Sequence, residues 1–564
     1  MYNKLKKILD SENEHLKKAD YIILAIFIVL YSILSFYQLG SFSNPETYMK
    51  FTADNNETVF ALKESTTISK IRIFTGNEFG DYEVYLSNDG SDFELFGSMK
   101  LDSVFAWSDF NIDKEFTYLK LVGTTTNSSL GDIQFYNNNL EKVPSIPLSE
   151  GSKLMLDEID TVPNQISYMN STYFDEIYFA RTAYEYANGL EAYEWVHPPL
   201  GKVIQMLPIK VLGMNPFSYR LMGNIAGIIM IPVIYILALN MFKNRKYAIL
   251  GGSLMALDTF HFAQTRMGTV DSFLVLFLML SFLFMYQYIS LNRTEPLAKR
   301  LLKLFLSGLT IGCAIATKWT GLFGGLALAI IFFADLISKN FGKGKKWGLD
   351  TTKIIIGCIV FFVIVPLIIY IGIYYLFPLV PGIEVNNLTK LIEQTTNVYN
   401  YHSLLSETHP FTSPWYQWPL MIKPVWYYVT YIGDSLKATI SGIGNPAIWW
   451  MGILGVFYLV YDLFKKHTKE SGFLIITILC MFLPYIFIGR VMFMYHYFPV
   501  LPFVMLAVVA LFKFLTELYK TNKLMISYLI IVLVLFILFL PIVSGMMMPV
   551  EYIDALRWFS TWIF

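Results

Sequence analysis

The stretches Tyr21–Phe36 and Met525–Leu540 carry no charged side chain. Each approaches the ~20 apolar residues a helix needs to cross the hydrocarbon core of a bilayer. Similar runs recur between them, and the apolar windows predict spans near 21–39, 217–241, 247–262, 269–291, 304–317, 320–337, 354–377, 446–462, 472–489, 493–515 and 525–545. Inside a bilayer the backbone has no water to bond to, so such runs must satisfy their own hydrogen bonds as helices. The chain is 15% charged, against about 25% in soluble domains. Its formal net charge of zero argues against a nucleic-acid binder. Cys313, Cys358 and Cys480 all lie in apolar runs. They read as small buried hydrophobes, with no disulfide framework or metal cluster among them.

Charge sets an expected orientation. Lys4, Lys6, Lys7, Lys17 and Lys18 precede the first span without a cleavage-site pattern, so residues 1–20 read as a cytoplasmic tail before an uncleaved helix at 21–39. With that end inside, the inner connections hold Lys243/Arg245/Lys246, Arg293/Lys299/Arg300/Lys303, Lys339/Lys343/Lys345/Lys346, Lys465/Lys466/Lys469 and Lys513/Lys520/Lys523. All are basic, as the positive-inside rule requires. Two long polar segments, about 40–216 and 378–445, then fall outside, and so does the C-terminus.

The first outer segment changes character within itself. Residues about 45–140 alternate in strand fashion, as in Ile71-Arg72-Ile73-Phe74, Tyr82-Glu83-Val84-Tyr85-Leu86 and Tyr118-Leu119-Lys120-Leu121, with the turn signal Asn88-Asp89-Gly90 between runs. Short strands at this spacing predict a β-sandwich over 40–150, and the pattern resembles discoidin-like domains. A spacer and a carbohydrate binder are both consistent with it. Residues 151–216 turn helical, with an amphipathic segment opening at Phe174-Asp175-Glu176 and ending near Asn188-Gly189. Residues 217–564 form the multi-span part.

With this orientation the unusual polar residues gather at one face: Asp175, Glu176, His197, Arg220, Arg266, Asp271, Lys318, His402, Asn445, Arg490 and His496. A transporter is expected to bury ionisable groups near the midplane instead. Acids and bases at the rim of an apolar bundle suit a substrate with a lipid tail and a polar head. The positive end of a helix dipole holds Asp175 and Glu176 ionised, ready to accept a proton from a hydroxyl, although acids are common in any first helical turn. Lys318 is the only cation between two apolar runs. The remaining arginines also fit snorkelling, and the aromatics near 415–418 and 449–450 also fit an interfacial belt.

The motifs FDEIYFAR, VHPPLGK, NPFSYRLMGNIAG, QTRMGTVDSF, ATKWTGLF, SPWYQWP, GNPAIWW and GRVMFMYHYFPVLPF occur in this order over residues 172–510. This series resembles the protein O-mannosyltransferase family. The resemblance implies a mainly α, polytopic membrane protein of GT-C architecture with about 11 transmembrane helices, carrying the β-sandwich after the first. It implies transfer of mannose from a polyprenyl-phosphate donor to Ser/Thr hydroxyls of exported proteins, with Asp175 as catalytic base and Glu176 as its partner. Arg220, Lys318, Arg490, His197, Asn445 and His496 fall in matching motifs and are expected at the donor phosphate or sugar; Arg266, Asp271 and His402 are further outer-face candidates. The segment 378–445 is too short for the β-trefoil domain of the fungal and animal enzymes, and the sandwich is an insertion. No metal is expected to be required, Mg²⁺ or Mn²⁺ beside Asp175/Glu176 being the one cofactor to test. The expected location is the cell membrane, with the active site extracytoplasmic. Transfer to a lipid or wall polymer, and a non-catalytic carbohydrate receptor or transporter, are the competing readings.

Overall fold

A computed structural model describes residues 16–340, 348–378, 388–405 and 407–564. The basic-tail residues Lys4, Lys6 and Lys7, and Lys343, Lys345 and Lys346 of an expected inner loop, lie outside the described residues, as do parts of 1–20 and of the 378–445 segment. The chain divides into two compact units.

One unit comprises residues 38–190 and 205–221. Its eight strands, β1 (Met49–Phe51), β2 (Glu57–Thr75), β3 (Gly80–Ser87), β4 (Glu94–Leu101), β5 (Ala106–Gly123), β6 (Ser128–Asn137), β7 (Lys142–Val143) and β8 (Ser145–Pro147), form an antiparallel sheet in the order β1-β6-β2-β5-β3-β4, with β7 beside β6 and β8 beside β2. The two long central strands are β2 and β5, and β2 changes its partner on one side along its length. Near one end β2 pairs with β8 while β5 pairs with β3; beyond irregularities at Ala61/Thr66 and Ile68/Lys70, β2 pairs with β6. Bulges of this kind bend and twist a strand, which lets one hydrogen-bonded sheet fold over its own apolar face. Phe60, Ile71, Ile73, Tyr82, Val84, Leu119, Leu121, Ile133 and Phe135 fill the interior, and they are the inward members of the alternation seen in the sequence. The helix Glu176–Ala187 belongs to the same unit.

The other unit comprises residues 1–37, 191–204 and 222–564 and is helical. Among the described residues of the whole chain, ten helices are long and apolar enough to cross a membrane: Lys18–Phe36, Pro216–Phe242, Asp271–Ser290, Leu297–Thr317, Gly321–Asn340, Leu349–Leu376, Pro446–Lys465, Lys469–Phe487, Leu501–Tyr519 and Lys523–Ser544. In Leu349–Leu376 only 11% of the apolar window is buried within the protein. An apolar surface that open is stable only against lipid.

The third of the eleven expected spans, 247–262, is instead two helices, Arg245–Ala256 and Thr259–Thr265. The break has a local cause. Buried Asp258 caps the second helix by accepting the His261 N–H at 2.8 Å, and its other oxygen takes the Asn445 N–H and the Trp449 indole. A capping carboxylate with those obligations cannot continue a helix.

The 378–445 segment also holds more structure than the sequence reading expected. A helix covers Leu388–Leu404, and a hairpin of β9 (Val425–Ile432) and β10 (Leu436–Gly442) is joined by β11 (Met547–Pro549). Gly433, at φ +57°, supplies the left-handed residue of the hairpin turn.

Candidate active site

In the β-strand unit the acidic pair divides into two roles. Glu176 is fully buried, and its carboxylate accepts from Arg220 through both oxygens, Nε to Oε1 and Nη2 to Oε2, each at 2.7 Å. Arg220 spends its other donors on the carbonyls of Leu39, Tyr168 and Ser171. The Tyr173 N–H also reaches Glu176 Oε2, at 3.2 Å. Asp175 stands immediately before the helix Glu176–Ala187, at its N-cap position, and is only half-buried. Phe174 just before it has φ +50°, a conformation costing about 1–3 kcal/mol for a bulky residue. The buried ion pair on the next turn is the kind of surrounding structure that such a backbone requires. A divalent cation beside this pair must compete with the guanidinium for both Glu176 oxygens.

The helical unit builds a second constellation. Gly201 allows the Pro-Pro-Leu-Gly-Lys turn to close on its neighbours, since a Cβ there would stand 2.7 Å from Val270 and 3.1 Å from Thr317. Gly321 does the same for the turn after Thr317, where a Cβ would meet the Ala314 backbone at 2.8 Å. Between these tight turns Lys318 is extended, and its Nζ donates to Asp271 Oδ1 at 2.8 Å. It also lies 5.5 Å from the centre of the Tyr495 ring. Lys202, wholly buried, donates to the Glu194 carboxylate, to the Glu194 carbonyl and to the His197 carbonyl. His197 Nδ1 and Glu194 Oε1 are 2.8 Å apart.

Three histidines complete the group. The rings of His197 and His402 are 5.5 Å apart. His402 Nε2 lies 2.9 Å from the Val196 carbonyl, so that nitrogen carries the proton. Its Nδ1 is buried and has no hydrogen-bond partner among the described residues. His496 stacks on Trp418 and Tyr495. Half-buried Arg490 makes no hydrogen bond or ion pair among the described residues, and its charge is felt by both His402 and His496.

The electrostatics are consistent throughout. Burial opposes the charge of Glu194, but Lys202 and His197 outweigh it and hold the carboxyl at about 2. Burial lowers His197 despite Glu194. Burial, with His197 and Arg490 adding, lowers His402 to about 4. Burial, then Lys318 and Arg490, takes His496 well below its ordinary value, and burial lowers Arg490 itself. The outcome is neutral imidazoles among three cations, Lys202, Lys318 and Arg490, with two carboxylates each already engaged by a lysine. Such a surface favours an anion with hydroxyl groups nearby.

Three expected residues have other obligations, Arg220 among them through Glu176 and the three carbonyls. Asn445 caps Pro446–Lys465 and donates its amide to the Leu257 and Val532 carbonyls. Arg266 donates to the carbonyls of Ser35, Tyr37 and Ser544. Glu194 was absent from the sequence candidates. It lies three residues before His197 in a non-helical segment, so no helical spacing rule pointed to it.

Two family models match the chain: dolichyl-phosphate-mannose-protein mannosyltransferase over residues 162–377, and the C-terminal four-transmembrane region of protein O-mannosyltransferase over 387–562. Together they cover well over half of it. The polyprenol-phosphate-mannose–protein mannosyltransferase of Corynebacterium glutamicum is 22% identical, over 65% of this chain and 81% of that protein. Its namesake from Mycolicibacterium smegmatis is 23% identical, over 62% and 78%. Among solved structures, the Saccharomyces cerevisiae protein O-mannosyltransferase Pmt1-Pmt2 complex bound to the sugar donor matches with TM-score 0.60 at 14% identity, over 70% of this chain and 89% of that one.

Proposed function

Because the chain belongs to the protein O-mannosyltransferase family, we propose that it moves mannose from a polyprenyl-phosphate carrier to Ser or Thr hydroxyls of exported proteins at the outer membrane face. The observation that carries the donor class is the cluster of Lys318, Arg490 and neutral His197, His402 and His496. An anionic leaving group needs cations arranged before it forms, and a sugar offers hydroxyls to neutral imidazoles.

The reaction is a single in-line displacement with inversion. The acceptor hydroxyl oxygen attacks the anomeric carbon, and its proton passes to Asp175. The bond from that carbon to the carrier oxygen breaks, and the electron pair leaves with the polyprenyl phosphate. Lys318 and Arg490 stabilise the growing phosphate charge. Glu176 and Arg220 are positioning residues that hold the helix start bearing Asp175.

The proposed orientation, N-terminus inside and C-terminus outside, is supported by the basic connections. It requires the broken pair Arg245–Ala256 and Thr259–Thr265 to cross as one segment.

A second acceptor reading has one observation in its favour: the family match begins at residue 162, so the β domain is an addition. Such a domain can recruit a lipid or wall polymer. The test is transfer in proteoliposomes from labelled polyprenyl-phosphate mannose, offered a Ser/Thr-rich peptide and an envelope-lipid and wall-polymer fraction. Label on the peptide supports protein O-mannosylation. Label confined to the lipid or polymer moves the acceptor, and no mannose transfer to either rejects the reading.

A further inference from the structure

At the end of the helical unit that carries the basic connections, four spans enclose a small polar cavity. It lies among the last turns of Asp271–Ser290 and Gly321–Asn340 and the first turns of Leu297–Thr317 and Leu349–Leu376. Its volume is about 80 Å³, several times what one water needs. Lys318 stands beyond the opposite end of Leu297–Thr317, about 25 Å away along the helix, so the cavity is separate from the site of sugar transfer.

Three cations line it against two carboxylates, Arg293, Arg300 and Lys339 against Asp335 and Asp350, which leaves one positive charge in surplus. Most of these groups satisfy one another. Arg300 Nη2 donates to Asp350 Oδ2 at 2.6 Å, Lys339 Nζ to Asp335 Oδ1 at 2.9 Å, and Arg293 Nη1 to the Lys339 carbonyl at 3.0 Å. Lys339 also reaches the carbonyls of Ile289 and Leu291. Two atoms are left over. Arg300 is only 7% exposed, and its Nε is buried with no hydrogen-bond partner among the described residues. Asp335 Oδ2 is likewise buried and unpartnered among the described residues. A bare donor and a bare acceptor in one cavity each cost stability until a ligand meets them.

We propose that this cavity seats the headgroup of a phospholipid of the phosphatidylglycerol class. The phosphodiester accepts from Arg300 Nε and from exposed Arg293, and its single negative charge cancels the surplus. A hydroxyl of the glycerol head donates to Asp335 Oδ2. A choline head has no donor for that oxygen, and an ethanolamine head brings a further cation beside Lys339. Basic pockets between span ends are a general form of lipid-headgroup site. The acyl chains also have a surface to lie on. Leu349–Leu376 starts at the cavity and is mostly bare within the protein, with Leu349, Ile356 and Ile359 exposed; Ile330, Phe333 and Ile337 of Gly321–Asn340 are exposed as well. Such a surface suits a lipid and offers nothing to a free phosphodiester.

The experiment uses the purified full chain in mild detergent, with lipid retention read by native mass spectrometry. Phosphatidylglycerol is compared with phosphatidylethanol, which has the same charge but no hydroxyl on its head, and with phosphatidylcholine and phosphatidylethanolamine of matched chains. Glycerophosphoglycerol supplies the head without the chains. The expected result is one phosphatidylglycerol per chain, held at least about tenfold more tightly than any of the others. Arg300→Gln and Arg293→Gln each weaken it by a similar factor, and Asp335→Leu erases the preference over phosphatidylethanol. Arg293 is exposed, so its variant keeps the test open if Arg300→Gln fails to fold. Equal retention of phosphatidylcholine overturns the proposal, as does retention undiminished in Arg293→Gln. Glycerophosphoglycerol bound as tightly as the lipid overturns the lipid assignment, and a preference for phosphatidylethanolamine overturns the headgroup class.

Discussion

Arg220 and Glu176, 44 residues apart in sequence, meet as a fully buried two-pronged ion pair with both nitrogen–oxygen distances at 2.7 Å. The pair fixes the first turn of the helix that Asp175 precedes. Its strength lies in mutual satisfaction, because either charge alone in that interior is far worse than none.

Replacing one partner therefore costs much more than replacing both. Arg220→Met is expected to lose about 3–5 kcal/mol of stability by leaving Glu176 uncompensated. Combining it with Glu176→Leu should recover most of that loss. Arg220→Lys keeps the charge but loses the fork and falls between. Denaturation and turnover are measured on the same samples. The double variant should regain its fold but remain poorly active, since Asp175 is no longer held; a purely structural pair would regain both.

Arg490 behaves in the opposite way. It has no hydrogen bond or ion pair among the described residues and is only half-buried, so Arg490→Gln should leave the unfolding midpoint within about 1 °C of wild type. It should lower kcat by about 10²-fold or more if the arginine meets charge that forms in the transition state. Steady-state kinetics with varied polyprenyl-phosphate mannose measure this, and an increase in KM alone would assign Arg490 to ground-state binding.

The imidazoles make stability depend on pH with a definite sign. His197, His402 and His496 are each lowered in the fold, His402 to about 4, against about 6.5 when unfolded. The unfolded chain therefore binds more protons between those values, and stability rises with pH there. It is complete above about pH 6.5 and falls away as pH drops towards 4. Glu194, held at about 2, extends the loss below pH 4. Thermal unfolding from pH 8 to 4 should show this decline, and His402→Asn should flatten it.

Chelation tests whether the acids of the site are free to hold a metal. Glu194 and Asp271 are both engaged by lysines, and both Glu176 oxygens by Arg220, so mannosyl transfer should continue in EDTA at 20 °C. Activity lost in chelator and restored by Mg²⁺ or Mn²⁺ at that temperature would contradict this.

The parts of the fold legible from sequence are those governed by local rules. Apolar runs and basic connections mark helices because the bilayer imposes length and charge, and alternation in Ile71–Phe74 and Tyr82–Leu86 marks strands because the pleat has a period of two. The break inside the 247–262 run was not legible because Asp258 looks like an isolated acid until Asn445 and Trp449 arrive from far along the chain to hold it. The β9–β10 hairpin was legible in principle, with aromatic and β-branched runs around Gly433-Asp434, but a polar outer segment invited reading as a loop. Of the site, the motifs brought Asp175, His197 and Lys318 into view. The resemblance gave Asp175 as base and Glu176 as its partner, but the sequence could not show what holds Glu176, because Arg220 lies 44 residues away.

The central claim is that Asp175 takes the acceptor proton. The direct measurement is single-turnover transfer from labelled polyprenyl-phosphate mannose to a Ser/Thr peptide, comparing wild type with Asp175→Asn at equal folded concentration and saturating donor. The account predicts that the variant retains donor affinity and the wild-type unfolding midpoint while its transfer rate falls by about 10²–10⁴-fold. Transfer at the wild-type rate by a folded Asp175→Asn protein would contradict it.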